Sequence, residues 1–445
     1  MKVLMTESWI VAPLALITIG LASGFMPLVI LASLIFGLSL AARIWTRISL
    51  ADVTANRHLS SMKIFTGESI RVELTITNNK VLPAPWIDIR ESLPAGMSTD
   101  LRTIPGPTGS KILKRVTSLN PNENIRWGIS LLGTSRGFYK IGPTIARTGD
   151  LFGFFQREEI LEHPTSQVVV YPRVFELEEF GLDSSRPFGD LRGGMKIFED
   201  PVLISGIRDY LPTDNLRRID WAATARTNKL QSRIYEPSRS HALIIALNIP
   251  TFRQNVPSFR KSWEGSDPVL LERAISLAAS IAYWASKNKL AVGLVANGAL
   301  PNADQTIRIG AGNKPEQLIQ ILEALAAVTI FTTGPLSDEL DQLKHPLPIG
   351  STIVTIAAQM PPELSYTLNQ LRNSGHTVNV LRTSDEDWDP LGFNDLERIQ
   401  IHEMADRMDE LNFIDQEISN QYSAEASEKD KSNDSEEIMS DQHDI

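Results

Sequence analysis

The chain opens on a run that a water-soluble fold does not readily absorb. Residues 9–42 carry no charged side chain across 34 positions. As a single helix this run would extend about 51 Å, against a bilayer hydrocarbon core of about 30 Å. One straight span is too long, and Ser23-Gly24-Phe25-Met26-Pro27 places helix-breaking Gly and Pro at its middle. The expectation is a transmembrane helical hairpin, residues 9–22 and 27–42, forming a membrane anchor over residues 1–47. A cleaved signal peptide is the weaker alternative, because Glu7 accompanies Lys2 and the apolar run exceeds what such a signal needs. Lys2 precedes the run and Arg43, Arg47 and Arg57 follow it. By the positive-inside rule both flanks face the cytoplasm, so the chain is expected in the cell membrane, multi-pass, with cytoplasmic soluble domains.

At 445 residues the chain is long enough for about three domains. There is no cysteine, hence no disulfide, thiolate metal site or thiol nucleophile. A formal net charge of −10 argues against nucleic acid as a partner. Much of that charge is local: residues 423–445 hold eight carboxylates and two lysines, the composition of a disordered acidic tail. Before it, Leu396, Ile399, Met404, Met408, Leu411, Ile414 and Ile418 recur at helical spacing, so an amphipathic helix is expected over residues 394–420 within a C-terminal segment of 391–445.

Between anchor and tail the hydrophobic period changes once. Residues 69–77, 86–93, 125–131 and 137–141 alternate apolar and polar, which implies short half-buried strands and an immunoglobulin-like β-sandwich over residues 53–160. From His241 onward, apolar strands at 241–247, 291–296, 351–357 and 377–381 alternate with helices at 268–287, 314–328 and 362–373. That alternation predicts a doubly wound α/β sheet over residues 241–390. Residues 180–204, rich in Gly, Asp and Ser, are expected to be a long loop. Gly189, Gly193, Gly194 and Lys196 only faintly resemble a P-loop, since Ile197 stands where a hydroxyl residue is needed.

The segment joining the two patterns, residues 161–240, contains the densest run of charge and aromatic character. Arg208, Arg217, Arg218, Arg226, Lys229 and Arg233 lie among Asp209, Asp214 and Asp220, with Tyr210 and Trp221 between them. Arg is the side chain that pairs planar carboxylates bidentately, so a partly buried ion-pair lattice is expected, with positive charge left over. The order Arg208-Asp209-Tyr210-Leu211-Pro212-Thr213-Asp214, then Arg217-Arg218-Ile219-Asp220-Trp221, then Ala225-Arg226 and Leu230, resembles the signature of the DUF58 family. Asp209 stands where that family has Glu, and Thr213 where it has Gly. Residues 149–155 and 168–173 resemble two further elements of the family, with Leu151 replacing a usual Pro. Three roles remain open for the run: a domain-joining clamp, which is favoured, a docking surface for a protein, or a catalytic phosphate or carboxylate site using Arg208, Asp214, Arg217, Asp220 and Arg226.

The resemblance implies that the α/β region is von Willebrand factor A-like, a fold whose first strand commonly ends in an Asp and two hydroxyl residues that bind a divalent ion. Asn248, Pro250 and Phe252 occupy those positions here, and two of the three offer no side-chain oxygen, so no metal or other cofactor is expected. Neither a nucleophile–base pairing nor a dinucleotide fingerprint is present in the sequence, so no enzyme activity and no small-molecule substrate are expected. The resemblance further implies a MoxR-type AAA+ ATPase as protein partner and a role as adaptor or assembly factor. An enzyme of unknown reaction and a structural envelope protein are the competing readings.

Overall fold

A computed structural model describes residues 2–150, 153, 155–161, 166–180, 182, 187–188, 199–212, 214–237, 242–249, 268–300, 303–343, 347–348, 350–383, 396 and 399–404. The chain divides into two compact units, residues 1–171 and 172–445.

The first unit begins with α1 (Lys2–Ser23) and α2 (Met26–Ser49), which pack side by side. Gly24 turns the chain between them at φ +72°, where a side chain would be strained. A Cβ added at Gly20 would lie 2.9 Å from Val29 Cγ2, so glycine lets the helices close up. Two helices meet at the expected Gly24 break, and α2 extends beyond the uncharged run. Among the described residues α2 is the one helix long and apolar enough to cross a membrane, while the apolar stretch Trp9–Ser23 is shorter.

α2 runs directly into the β part of its unit. Thr46 and Ser49 are buried, and Leu50 joins the core. The Lys80 ammonium donates to the carbonyls of Ser49 and Ala51, and Arg157 Nη1 donates to the carbonyl of Arg47 at 2.6 Å. These cations satisfy helix C-terminal carbonyls and favour the dipole. Burial holds the Lys80 amine below its usual range, against the opposing pull of Asp52.

The strands that follow are β1 (Val53–Leu59), β2 (Lys63–Phe65), β3 (Ser69–Asn78), β4 (Ala84–Leu93), β5 (Met97–Ser98), β6 (Thr103–Pro105), β7 (Lys111–Leu119), β8 (Asn124–Gly133), β9 (Gly137–Ile141), β10 (Thr144–Gly149), β11 (Gln156–Ile160) and β12 (Ser166–Tyr171). They form sheets ordered β1-β3-β8-β5, β11-β10-β4-β7-β6 and β2-β12-β9. Every pairing is antiparallel except β2 with β12. Alternation places Ile70, Val72, Leu74 and Ile76 of β3 inward, opposite Leu131, Ile129, Trp127 and Ile125 of β8. One apolar core draws on the first two sheets, including Leu74, Ile76, Ile87, Ile89 and Ala146, and a second gathers Ile64, Val72, Leu93, Ile129, Val168 and Val170. Because β12 completes the third sheet, this unit reaches Tyr171 rather than ending near residue 160.

A buried polar knot ties these sheets together. Arg57 of β1 pairs with Glu91 of β4, their side chains only 1% and 2% exposed. Arg57 also donates to the carbonyl of Ile141 at 2.8 Å and to Thr144 Oγ1 at 3.2 Å, and Thr144 donates to Glu91.

In the second unit, β13 (Glu199–Asp209), α3 (Trp221–Thr227) and β14 (Gln231–Pro237) make a hairpin. Part of the stretch expected as a long loop is therefore strand, from Glu199 onward. Next come β15 (Ala242–Leu247), α4 (Pro268–Lys287), β16 (Ala291–Leu300), β17 (Ala303–Gly312), α5 (Pro315–Ala327), α6 (Leu336–Leu343), β18 (Thr352–Ala357), α7 (Pro362–Asn373), β19 (Thr377–Arg382) and β20 (Gln400–Glu403). The sheet order is β17-β16-β15-β18-β19-β20, parallel apart from β17. β15 and β18 are buried along their whole length, as strands covered on both faces must be. Leu271, Ala274, Ile275, Ala278, Ile281 and Ala282 of α4 are all buried, as their spacing predicts. Leu336 and Leu340 of α6 join Leu364, Leu368 and Leu371 of α7 over Ile353, Val378 and Val380.

The helix expected over residues 394–420 is corrected where the chain is described: Gln400–Glu403 is an edge strand parallel to β19. Sheet pairing overrides the helical spacing there, since backbone groups at an open edge gain partners. The remainder of that helix and the acidic tail lie outside the described residues.

His376, just before β19, and His402, on β20, are both held below the usual imidazole range by burial, and a backbone contact with Ser351 only partly offsets this at His376. The fold therefore prefers neutral rings, while the unfolded chain takes up protons near pH 6.5. Their stabilisation is complete above that pH and is lost as pH falls through the lower folded values. Amide exchange in β19 and β20, corrected for intrinsic rates, should accelerate between pH 7.5 and 5. A His376→Gln, His402→Gln double variant should lose most of that dependence; an unchanged profile would refute the assignment.

Candidate functional site

The signature run folds upon itself. Asp209 pairs in register with Gln231, Arg208 with Ser232 and Ile207 with Arg233. Asp214 then closes the loop: its carboxylate accepts from both terminal nitrogens of Arg208, at 2.7 and 2.6 Å, and from the amide of Leu211 at 2.9 Å. Tyr210 Oη donates to the carbonyl of Asp214 at 3.1 Å, and Gln231 Nε2 donates to Asp209 at 2.6 Å. Asp220 caps α3, accepting from the amide of Ala223 at 2.9 Å, while its second oxygen accepts from Arg233 Nε at 3.0 Å. At the other end of α3, Asn228 takes the left-handed conformation, and Arg226 lies in the last turn, where a cation suits the dipole.

Both carboxyls are depressed below their usual range. The Arg208 hydrogen bonds act most strongly on Asp214, followed by the Leu211 amide. For Asp220 the Ala223 amide comes first and Arg233 second. Carboxylates with lowered pKa and both oxygens engaged make poor general bases near neutral pH. Their evident work is to hold the loop in one shape.

The structure therefore splits the predicted residues into two groups. Arg208, Asp209, Tyr210, Asp214 and Asp220 are knitted together inside the hairpin. Arg217, Trp221 and Arg226 face outward, Trp221 with 68% of its surface exposed. Leu211, Leu216 and Leu230 are exposed beside them, as is Lys229. The lattice is shallower than expected, because among the described residues of the run only Ile219, Gln231 and Ser232 are buried. Arg233, the partner of Asp220, was in the charge pattern but not among the candidate site residues. Thr213 lies outside the described residues.

A second place follows from topology, since doubly wound sheets bind ligands beyond the carboxyl ends of strands where the order reverses. Here that point lies between β15 and β18. Asn248 ends β15 and is bridged by Asn297 of β16: Asn297 Nδ2 donates to Asn248 Oδ1 at 3.1 Å and to the carbonyl of Gly334 at 3.0 Å, while its own oxygen accepts from the amide of Ile249 at 2.9 Å. Both asparagines are buried, and β18 ends in Ala357, followed by Ala358. This set offers a divalent ion no carboxylate. Pro250 and Phe252 lie outside the described residues. Asn297 was missed, although a carboxamide at the end of a run as apolar as 291–296 is itself a signal. Replacing Asn297 with Ala should cost about 1–3 kcal/mol, by leaving buried partners unsatisfied. Urea denaturation followed by exchange in β15 and β16 measures this; a loss under about 0.5 kcal/mol would show the bridge to be dispensable.

Comparison with known proteins bears on the hairpin directly. Uncharacterized protein YeaD of Bacillus subtilis (strain 168) is 21% identical over 360 residues, covering 80% of this chain and 82% of the relative. Among solved structures, a CARDB domain from Pyrococcus furiosus covers 27% of this chain and 92% of its own at 17% identity and a TM-score of 0.20. A cohesin module from a Clostridium perfringens family 33 glycoside hydrolase covers 26% and 96% at 13% identity and a TM-score of 0.21. Likeness at that level carries no inference about fold or function. The family described as "Protein of unknown function DUF58" matches residues 206–432, which starts at the hairpin, continues through the α/β sheet and takes in half of the sequence; the chain belongs to the DUF58 family.

Proposed function

We propose that this protein is a membrane-anchored adaptor that acts through protein–protein contact, with the β13–β14 hairpin as its docking surface. One observation carries the reading: the hairpin commits its carboxylates to internal bonds and leaves Trp221, Leu216 and Leu211 exposed among Arg217, Arg226 and Lys229. Trp and Arg are the side chains that most often anchor interfaces, and an exposed aromatic rimmed by charge is their usual setting. A MoxR-type AAA+ ATPase is the partner we favour, on the family resemblance. The anchor is α2 with α1, and the exposed basic flank at Arg43 and Arg47 supports a cytoplasmic soluble part. We further read the antiparallel sheets as an immunoglobulin-like sandwich and the second unit as von Willebrand factor A-like. The order of its six strands, with β17 alone antiparallel, supports the latter.

Catalysis has less support, because Asp214 and Asp220 already accept from internal donors on both oxygens. Co-purification of the full-length chain with the ATPase from membranes tests the proposal. Recovery of the ATPase that depends on Trp221 is expected; recovery indifferent to Trp221 would move the docking surface elsewhere.

A further inference from the structure

The foot of the first unit carries an apolar groove that the adaptor reading does not use. Ala41, Ile44, Trp45 and Ile48 of α2 form one wall, Leu82 and Pro83 of the β3–β4 connection the other, around a cavity of about 260 Å3. That is a little under the size of small-molecule pockets, about 300–1,000 Å3. It suits a slender apolar chain better than a molecule with polar arms.

The groove is built rather than accidental. Asn78 Nδ2 donates to the carbonyl of Leu82 at 3.0 Å, the amide of Asn79 donates to the carbonyl of Asp52 at 3.0 Å, and Lys80 clasps the end of α2. A loop so held cannot fold its apolar side chains inward. Val81 is left 79% exposed, and Leu82, Ile44 and Ile48 are exposed beside it.

Its position identifies the occupant. Arg43 ends the uncharged part of α2, and the groove begins at the same level. From Arg43 to Ile48 the helix rises about 7.5 Å, close to the headgroup layer of about 5–7 Å on each side of a bilayer core. Exposed Arg43 and Arg47 stand one turn apart there, suited to lipid phosphate. Trp45 lies half-buried in the wall with no hydrogen-bond partner for its indole N–H, an amphipathic ring of the kind enriched at the membrane–water boundary.

We propose that this groove seats an acyl chain of a bilayer phospholipid, its phosphate beside Arg43 and Arg47, so that the β unit rests in the headgroup layer instead of standing clear of the membrane. The proposal rests on α2 spanning the bilayer. Because the chain has no cysteine, any introduced one is a unique labelling site. Nitroxide would be placed on full-length Leu82→Cys in the groove wall, with Val81→Cys as a second variant in case the first folds poorly. Leu34→Cys on the exposed side of α2 reports the span, and Asp100→Cys, beyond the far end of β4, reports water. In phosphatidylcholine–phosphatidylglycerol vesicles, labels at 82 and 81 should collide with oxygen in preference to a water-soluble nickel complex, by a ratio several-fold above that at 100 and approaching that at 34. Labels at 82 and 81 that match 100, while 34 stays oxygen-rich, would overturn the groove and leave the anchor standing. A label at 34 that also matches 100 would overturn both.

Discussion

Glu91→Ala is expected to destabilise the first unit by about 3–5 kcal/mol, the usual cost of removing one partner from a buried ion pair. The Arg57 guanidinium would stay enclosed, 1% exposed, with its anion gone and only the Ile141 carbonyl and Thr144 hydroxyl to accept from it. The knot joins β1, β4 and β10, so its failure should loosen all three together. Hydrogen exchange on the full-length protein in detergent would read this strand by strand, and the exchange of β15 and β18 serves as an internal control. A double replacement, Arg57→Met with Glu91→Leu, should cost less than either single change, because it removes both charges from the interior. A single Glu91→Ala variant with native protection in β4 would show that water or rearrangement relieves the charge.

Trp221→Ala should do the opposite: leave stability unchanged and weaken partner capture by about 30-fold, equivalent to about 2 kcal/mol at an interface hot spot. The ring is exposed and sits on the first turn of a helix capped by Asp220, so its loss opens no cavity. Arg217→Glu and Arg226→Glu should mainly slow association and flatten its salt dependence, as charges at a rim do. Reading both sets by surface plasmon resonance on the full-length chain in nanodiscs separates anchor from rim. If Trp221→Ala binds as the parent does, the outward face of α3 is not the contact.

Much of this architecture was legible in the residues because it follows from strong periods. Residues 268–287 and 362–373 are helices with the predicted bounds, and the strand at 69–77 alternates as written. What escaped depends on tertiary partners. β17 carries little apolar signal and exists because β16 offers it an edge; β20 is strand at four positions of an expected helix for the same reason. The Arg57–Glu91 knot joins residues far apart in sequence, and no local pattern announces it. The signature's charges were read correctly as paired, but their depth was not. Asp214 and Asp220 find partners within a few residues or across one hairpin, which a short excursion satisfies without burial by a second domain. The asparagine bridge at the sheet's reversal point depends on how β15 and β16 align.

The central claim is that a self-braced hairpin presents Trp221 to another protein. Installing a photo-crosslinking amino acid at exposed position 216 of the full-length chain, beside an intact Trp221 and in membranes that also contain the MoxR-type ATPase, tests it most directly. An adduct with the ATPase is predicted, falling steeply when Trp221→Ala is added. A folded, membrane-bound chain that yields no adduct with the ATPase present would contradict it.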